Sequence, residues 1–161
     1  MTNWEKDINF NEIKEIRTRS TVYFGCGAIQ KINDIAKLYS QRGINKVVVM
    51  SGRNAYKSTG AWDVVEKALK DNNIGYINYD KVTPNPTTDA IDEAVKMARE
   101  FGAKAVITIG GGSPTDAGKS VAILLKYPNE TGSSLYTFKF APTEAAPIVA
   151  TANLFVSEPV P

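Results

Sequence analysis

The sequence predicts an α/β fold, a three-layer Rossmann-like domain with a mostly parallel sheet and helices on both faces. Three observations predict it. Short apolar runs of strand length alternate four times with amphipathic helical segments. The run 105–109 meets three glycines, Gly110, Gly111 and Gly112, and then a residue string built to start a helix. Polar or proline-rich turns follow the other strands, at the edge where sheets of this kind bind ligands.

Taken in order, residues 21–25 (Thr-Val-Tyr-Phe-Gly) predict a strand and 28–41 a helix, with Ile29, Ile32, Ile35, Ala36 and Leu38 as its apolar side. Residues 46–50 form a Val-rich buried strand, followed by a polar loop over 51–60. A helix over 61–72 carries Trp62, Val65, Ala68 and Leu69 at helical spacing, and 74–79 alternate as a strand. Thr83-Pro84-Asn85-Pro86-Thr87 is a rigid turn, after which Thr87, Thr88 or Asp89 can cap a helix to about 101. Its face is Ile91, Ala94, Val95, Ala98 and Phe101. The helix after the glycines places Ala117, Val121, Leu124 and Leu125 on one side. Beyond Tyr127 the pattern loosens over 127–146, a last apolar strand spans 147–150, and 151–161 form an irregular tail. No internal repeat is present.

At 161 residues the chain is expected to form a single domain, 1–161, large enough to bury a core. Its 43% hydrophobic and 22% charged residues fit a soluble globular protein. A net charge of +2 without Lys/Arg clusters excludes a nucleic-acid groove, and no apolar run approaches membrane-spanning length. The opening MTNWEKDINF carries neither the basic nor the apolar segment of a signal peptide. With Cys26 the lone cysteine, the expectation is a cytoplasmic protein. Cys26 itself is read as a small buried residue and Trp4 and Trp62 as packing residues. The chain has no histidine, so Ser-His-Asp or Cys-His catalysis and imidazole-based zinc or iron sites are excluded within it. Only carboxylates remain as metal ligands, which suit a hard ion such as magnesium.

The glycine turn reads as a phosphate cradle. Ser113 can cap the helix, Pro114 suits its first turn, and Asp116 sits where a capping box has its acid. Three glycines leave backbone N–H groups free to close on an anion at the positive end of the helix. The dinucleotide fingerprint G-x-G-x-x-G matches Gly110 and Gly112 but meets Thr115 at its third glycine. The P-loop pattern nearly fits Gly112, Gly118, Lys119 and Ser120, yet five residues rather than four separate the glycines. A ligand-free tight turn accounts for Ser113 and Asp116 by capping alone, and for Asp116 with Lys119 as an ordinary helix pair. It does not account for three glycines in a row.

Gly110-Gly111-Gly112-Ser113-x-x-Asp116-x-x-Lys119 resembles the cofactor motif of the iron-containing (group III) alcohol dehydrogenases. Phe24-Gly25-x-Gly27 and Val82-Thr83-Pro84-Asn85-Pro86-Thr87 resemble that family's first strand and turn and its Pro-x-Pro segment. Order and spacing match too, so the likeness spans roughly residues 20–150. It implies the NAD(P)-binding domain of an enzyme that passes a hydride between nicotinamide and an alcohol, aldehyde or ketone. Gly110, Gly111, Gly112 and Ser113 would hold the pyrophosphate, Asp116 and Lys119 would lie nearer the ribose and nicotinamide, and the Pro84 turn would also contact the cofactor.

Cofactor choice is read at the end of the second strand of the alternation, 46–50, where an acid would bond a ribose 2′-hydroxyl and repel a 2′-phosphate. The stretch Met50-Ser51-Gly52-Arg53-Asn54-Ala55-Tyr56-Lys57-Ser58 holds no acid before Asp63. Gly52 leaves room, Arg53 and Lys57 supply charge, and Ser51, Asn54 and Ser58 supply donors for a phosphomonoester. The loop resembles those of NADP-dependent members, and NADP is expected ahead of NAD; a solvated basic loop is the alternative.

The resemblance further implies that iron, or another divalent metal, is held by a C-terminal helical domain with histidines. That domain is expected to be absent, and the chain to be a truncated or rearranged product, inactive alone. After residue 150 the family's Thr/Gly-rich loop is expected, but Thr151-Ala152-Asn153-Leu154-Phe155-Val156-Ser157-Glu158 keeps only Thr151 and the Ser157-Glu158 pair. A non-catalytic binding module that self-associates through exposed surface is the second reading.

Overall fold

The structure is a computed structural model that describes residues 14–17 and 20–152. Its element order is β1 (Lys14–Arg17), β2 (Thr21–Phe24), a 3-10 turn (Ala28–Lys31), α1 (Ile32–Gln41), β3 (Lys46–Ser51), α2 (Ala55–Ser58), α3 (Ala61–Asp71), β4 (Gly75–Tyr79), α4 (Thr88–Phe101), β5 (Ala105–Gly110), α5 (Gly112–Leu124), α6 (Gly132–Tyr136) and β6 (Ile148–Ala152).

The main sheet has the order β4-β3-β5-β6 with every neighbouring pair parallel. Alternation along β3 sorts its side chains to two faces. Val47 and Val49 meet Ile32, Ala36, Val65, Ala68 and Leu69 of α1 and α3. Val48 and Met50 meet Ile91, Ala94, Val95 and Ala98 of α4 and Ala117, Val121 and Leu124 of α5. Three layers result, as the apolar spacing predicts. Each fully buried Val, Ile or Leu contributes about 1.5–3 kcal/mol relative to exposure, so the central strands β3 and β5 dominate stability.

Local chemistry explains several boundaries. Thr87 caps α4, its hydroxyl accepting from the Ala90 amide at 3.3 Å, and Gly102 in the left-handed region closes that helix. The Lys46 ammonium donates to the Phe101 carbonyl at 3.0 Å, adding positive charge at the helix's negative end. At the end of α5 an Arg99 guanidinium nitrogen does the same for the carbonyls of Leu124 and Tyr127, at 2.6 and 2.9 Å.

Four expectations need correction. The strand at 21–24 does not join the parallel sheet; it pairs antiparallel with β1 in a separate two-stranded ribbon. Cys26 is exposed, because the turn between Gly25 and Gly27, both at positive φ, carries it outward. The segment 127–146 is organised rather than loose. Thr131 and Ser134 form a reciprocal capping box on α6, and the Tyr127 hydroxyl accepts the amides of Thr143 and Glu144 at 2.7 and 3.1 Å. The last strand runs 148–152, two residues past its expected end. Trp62 is a packing residue as expected, edge-on to both Tyr56 and Tyr76, whereas Trp4 lies outside the described residues. Among the described residues no helix is long and apolar enough to cross a membrane.

Candidate cofactor site at the carboxyl edge of the sheet

Chain order and sheet order disagree at one place. From β3 the chain moves outward to β4, then crosses back to lay β5 on the other side of β3. The loops leaving β3 and β5 therefore diverge, and a crevice opens between their carboxyl ends, the position where such sheets receive ligands. Ser51 stands opposite Ile109 in this register, so the polar loop and the glycine turn start side by side. Gly110 in turn lies opposite Ala152, which brings β6 to the same edge.

The three glycines have different jobs. Gly110 turns the chain at φ 143°, a conformation side chains rarely adopt, and a Cβ there would stand 2.9 Å from Pro114 Cγ. Gly111 and Gly112 have ordinary backbone angles, and a Cβ on either would meet nothing within 4 Å. Their missing side chains serve open space rather than the fold. Helix α5 begins at Gly112 with Gly111 as its N-cap, and no side chain caps it. The expected Ser113 cap and Asp116 capping box are thus not formed. Glycine lets the helix start two residues earlier, and the Thr115 hydroxyl instead donates back to the Gly111 carbonyl at 2.9 Å.

The consequence for anions is direct. The first intrahelical amide is that of Thr115, bonded to the Gly111 carbonyl, so the amides of Gly112 and Ser113 precede it. Pro114, which has no N–H, sits where a donor would go unused by the helix. Two amides and the positive helix end face a glycine-lined space. Asp116 and Lys119 lie one turn further on, exposed and paired with each other at 3.0 Å.

Across the crevice, Ser51 ends β3 fully buried, its hydroxyl without a hydrogen-bond partner. Gly52 follows with unstrained backbone, and a Cβ there would sit at ordinary contact distance, 3.5 Å, from the Val82 carbonyl. Neither backbone nor packing demands a glycine at 52. Arg53, Asn54 and Lys57 are exposed. The turn carrying them is anchored by Tyr56, which is 2% exposed and stacks edge-on against Trp62. Among the described residues the Arg53 guanidinium has no ion-pair or hydrogen-bond partner.

The third wall is the 80–87 turn with Pro84, where Asn85 takes φ 54° between the two prolines. A clamp that no local sequence pattern announces holds it to α4. Glu93 accepts from the Tyr79 hydroxyl at 3.1 Å and pairs with Lys81 at 2.7 Å. Lys81, then Tyr79, holds the Glu93 carboxyl below its usual range, while burial and then Glu93 push the Tyr79 hydroxyl up to about 12. The phenol therefore stays a proton donor across neutral pH. The Val82 amide meanwhile donates to the Ser51 carbonyl at 3.2 Å, tying this wall to the end of β3.

Of the tail's expected contacts only Thr151 is described, and its hydroxyl donates to the Thr108 carbonyl within the sheet, at 2.8 Å. Ser157 and Glu158 lie outside the described residues. Among the described residues no three His, Cys, Asp or Glu side chains converge on a point, so the groups present do not fit an iron ion.

Comparison with known proteins identifies the family and the fold. The family profile described as iron-containing alcohol dehydrogenase matches residues 19–153. The long-chain primary alcohol dehydrogenase AdhA of Thermoanaerobacter ethanolicus is 54% identical over 147 residues, 91% of this chain and 37% of AdhA. The NADPH-dependent aldehyde reductase YqhD of Escherichia coli is 30% identical over 74% of the chain and 28% of its own length. Among solved structures, NADH-dependent butanol dehydrogenase A of Thermotoga maritima superposes with a TM-score of 0.71 at 32% identity, covering 79% of this chain and 31% of that one. The chain thus spans about a third of the length of the relatives it matches. With the profile covering both the glycine turn and the 80–87 turn, the chain belongs to the iron-containing alcohol dehydrogenase family.

Proposed function

We propose that this chain is the nucleotide-binding domain of an NADP-dependent alcohol dehydrogenase, a single domain that holds NADP(H) across the crevice between β3 and β5. One observation carries the reading. The two glycines whose side chains the fold does not exclude, Gly111 and Gly112, stand at the start of α5, where space and free amides coincide. A pyrophosphate there would take the amides of Gly112 and Ser113.

The 2′-phosphate assignment rests on Gly52, Arg53, Asn54 and Lys57. Because nothing in the fold requires glycine at 52, the absent side chain is space for a ligand, and the exposed Arg53 and Lys57 beside it favour a dianion. Relatives are named for both NADH and NADPH, so the preference for NADP is argued from this loop alone. The buried, unpartnered Ser51 hydroxyl at the same strand end fits a polar occupant nearby. Asp116 and Lys119 would reach the ribose and nicotinamide only by releasing each other, which an exposed pair does at little cost.

Bound nicotinamide supplies the hydride chemistry; this chain's residues bind and orient it. Substrate, a small alcohol, aldehyde or ketone, and the divalent metal belong to a full-length enzyme, and the chain alone is expected to bind cofactor without turnover. The deciding experiment is a fluorescence titration with NADPH and then NADH. Saturable binding at least about tenfold tighter for NADPH, a difference of ~1.4 kcal/mol, supports the reading. Equal or tighter NADH overturns the NADP assignment, and no binding of either overturns cofactor binding by this chain.

Self-association is a second reading, favoured by the exposed Val22 and Phe24, 47% and 63% accessible, on the ribbon outside the main sheet. Size-exclusion elution at the monomer position at every concentration would remove it.

A further inference from the structure

We propose that Gly118 and Thr108 form a matched pair that sets the height of α5 over β5, and so the position of the Gly112 and Ser113 amides at the strand end. The inference rests on the cofactor reading above and names positioning residues for that site.

Gly118 sits in the middle of α5, where glycine is disfavoured for the helix itself. Packing accounts for it. A Cβ at 118 would lie 2.2 Å from Thr108 Cγ2, with Ile148 Cδ1 and Val106 Cγ1 at 3.5 Å. Carbon atoms in contact stand about 3.5–4.0 Å apart, so an added methyl must open the contact by more than about 1 Å. The strand is poorly placed to give way. Thr108 is fully buried, and β5 is paired on both sides, with Thr108 opposite Met50 of β3 and Ala150 of β6. Displacement therefore falls on the helix, and its first turn moves with it.

In the dinucleotide fingerprint, the third glycine, five residues after the first, allows close helix–strand packing. Here that place is Thr115, whose hydroxyl turns back to the Gly111 carbonyl. The close approach lies three residues further on, at Gly118. Thr108 supplies the opposing methyl, and its hydroxyl has no partner, so the side chain contributes volume rather than a hydrogen bond. A small residue on the helix and a larger one on the strand divide a fixed space between them.

The test is a compensating exchange in the full 161-residue chain: Gly118→Ala, Thr108→Ala and the double variant. Each is followed by NADPH titration, thermal melting and the 15N–1H amide spectrum of the free protein. Gly118→Ala should weaken NADPH about tenfold or more, since oriented amides lose contact over about an ångström. It should also move the amide signals of Gly111, Gly112 and Ser113. Thr108→Ala alone leaves α5 room to settle and should weaken NADPH, though less than Gly118→Ala does, and the double variant should return to within about threefold of the parent. A merely structural glycine would lower the melting temperature while leaving affinity and those signals unchanged, and that result overturns the proposal. So does a double variant no better than Gly118→Ala. Should Gly118→Ala fail to fold, recovery of folding and affinity in the double variant supports the pair, and an unfolded double variant overturns it. If the parent chain binds no NADPH, the cofactor reading falls, and the pair is judged on the amide signals: moved by Gly118→Ala and restored in the double variant, or not.

Discussion

The glycine turn after β5 and the polar loop after β3 leave adjacent parallel strands at one edge, yet they are built on opposite principles. The turn offers backbone: two amides, a helix end, and space where Gly111 and Gly112 lack side chains. The loop offers side chains: Arg53 and Asn54 just before, and Lys57 within, a short helical turn pinned by the buried Tyr56, all three exposed. Backbone donors are positioned by the sheet itself, so on the proposed reading they would hold what every dinucleotide shares. Exposed cations can change without disturbing the core, which suits them to the feature that distinguishes one dinucleotide from another. If the proposed function holds, affinity belongs to one side of the crevice and selectivity to the other.

The strongest way to break the contrast is to fill the turn. Gly111→Ala with Gly112→Ala places two methyl groups where the folded protein has nothing within 4 Å. Melting should shift by no more than about 1 kcal/mol of stability, because neither backbone angle is unusual. Affinity for NADPH and NADH alike should fall about a hundredfold, as the pyrophosphate is pushed off its amides. Gly110→Ala is the internal control: with φ 143° and Pro114 at 2.9 Å it should cost about 1–3 kcal/mol of stability as well. If the double alanine variant binds normally, the turn is a connection and not a cradle.

Next in size is Gly52→Asp. The carboxylate would stand where an acid accepts a ribose 2′-hydroxyl and repels a 2′-phosphate. NADPH should weaken about tenfold to thirtyfold while NADH holds or improves, measured by paired titrations. A variant that loses both cofactors equally would show that the loop contributes affinity rather than choice.

These two regions also differ in how far the sequence reveals them. The runs 46–50 and 105–109 and the helices at 61–72 and 88–101 were legible to within one or two residues, because full burial on the sheet forces continuous apolar strands and spaced apolar helix faces. The glycine turn was legible as a motif, but its cap was not: Ser113 has the right chemistry, yet glycine at 111 lets α5 begin earlier. What stayed hidden is long-range. The Tyr79–Glu93–Lys81 clamp joins a strand to a helix, and the Tyr127 hydroxyl gathers two amides from a segment without periodicity. Gly118 looks like a flaw in a helix until Thr108 is seen against it. Such contacts depend on which elements meet, and that is decided by sheet order rather than by any local pattern. The ribbon of β1 and β2 escaped for the same reason, since a strand's own residues do not say which strand it pairs with.

The smallest expected effect sharpens the contrast most. Arg53→Gln and Lys57→Gln each remove one exposed cation and keep a polar side chain of similar length. Solvent screens both, so each should weaken NADPH only about threefold to fivefold near physiological ionic strength, with NADH unchanged. Screening also dictates how that difference depends on salt. At about 0.5 M salt the parent should lose most of its advantage for NADPH, and the variants should converge on it. The alanine variants of the turn should not converge, because a steric block is indifferent to ionic strength. Salt titration of the two sets therefore separates a site made of charge from a site made of space, even where single affinities differ by only a few fold. Variants at 53 and 57 that weaken NADH as much as NADPH, or whose effect persists at high salt, would mean that the loop acts through its shape, as the turn does.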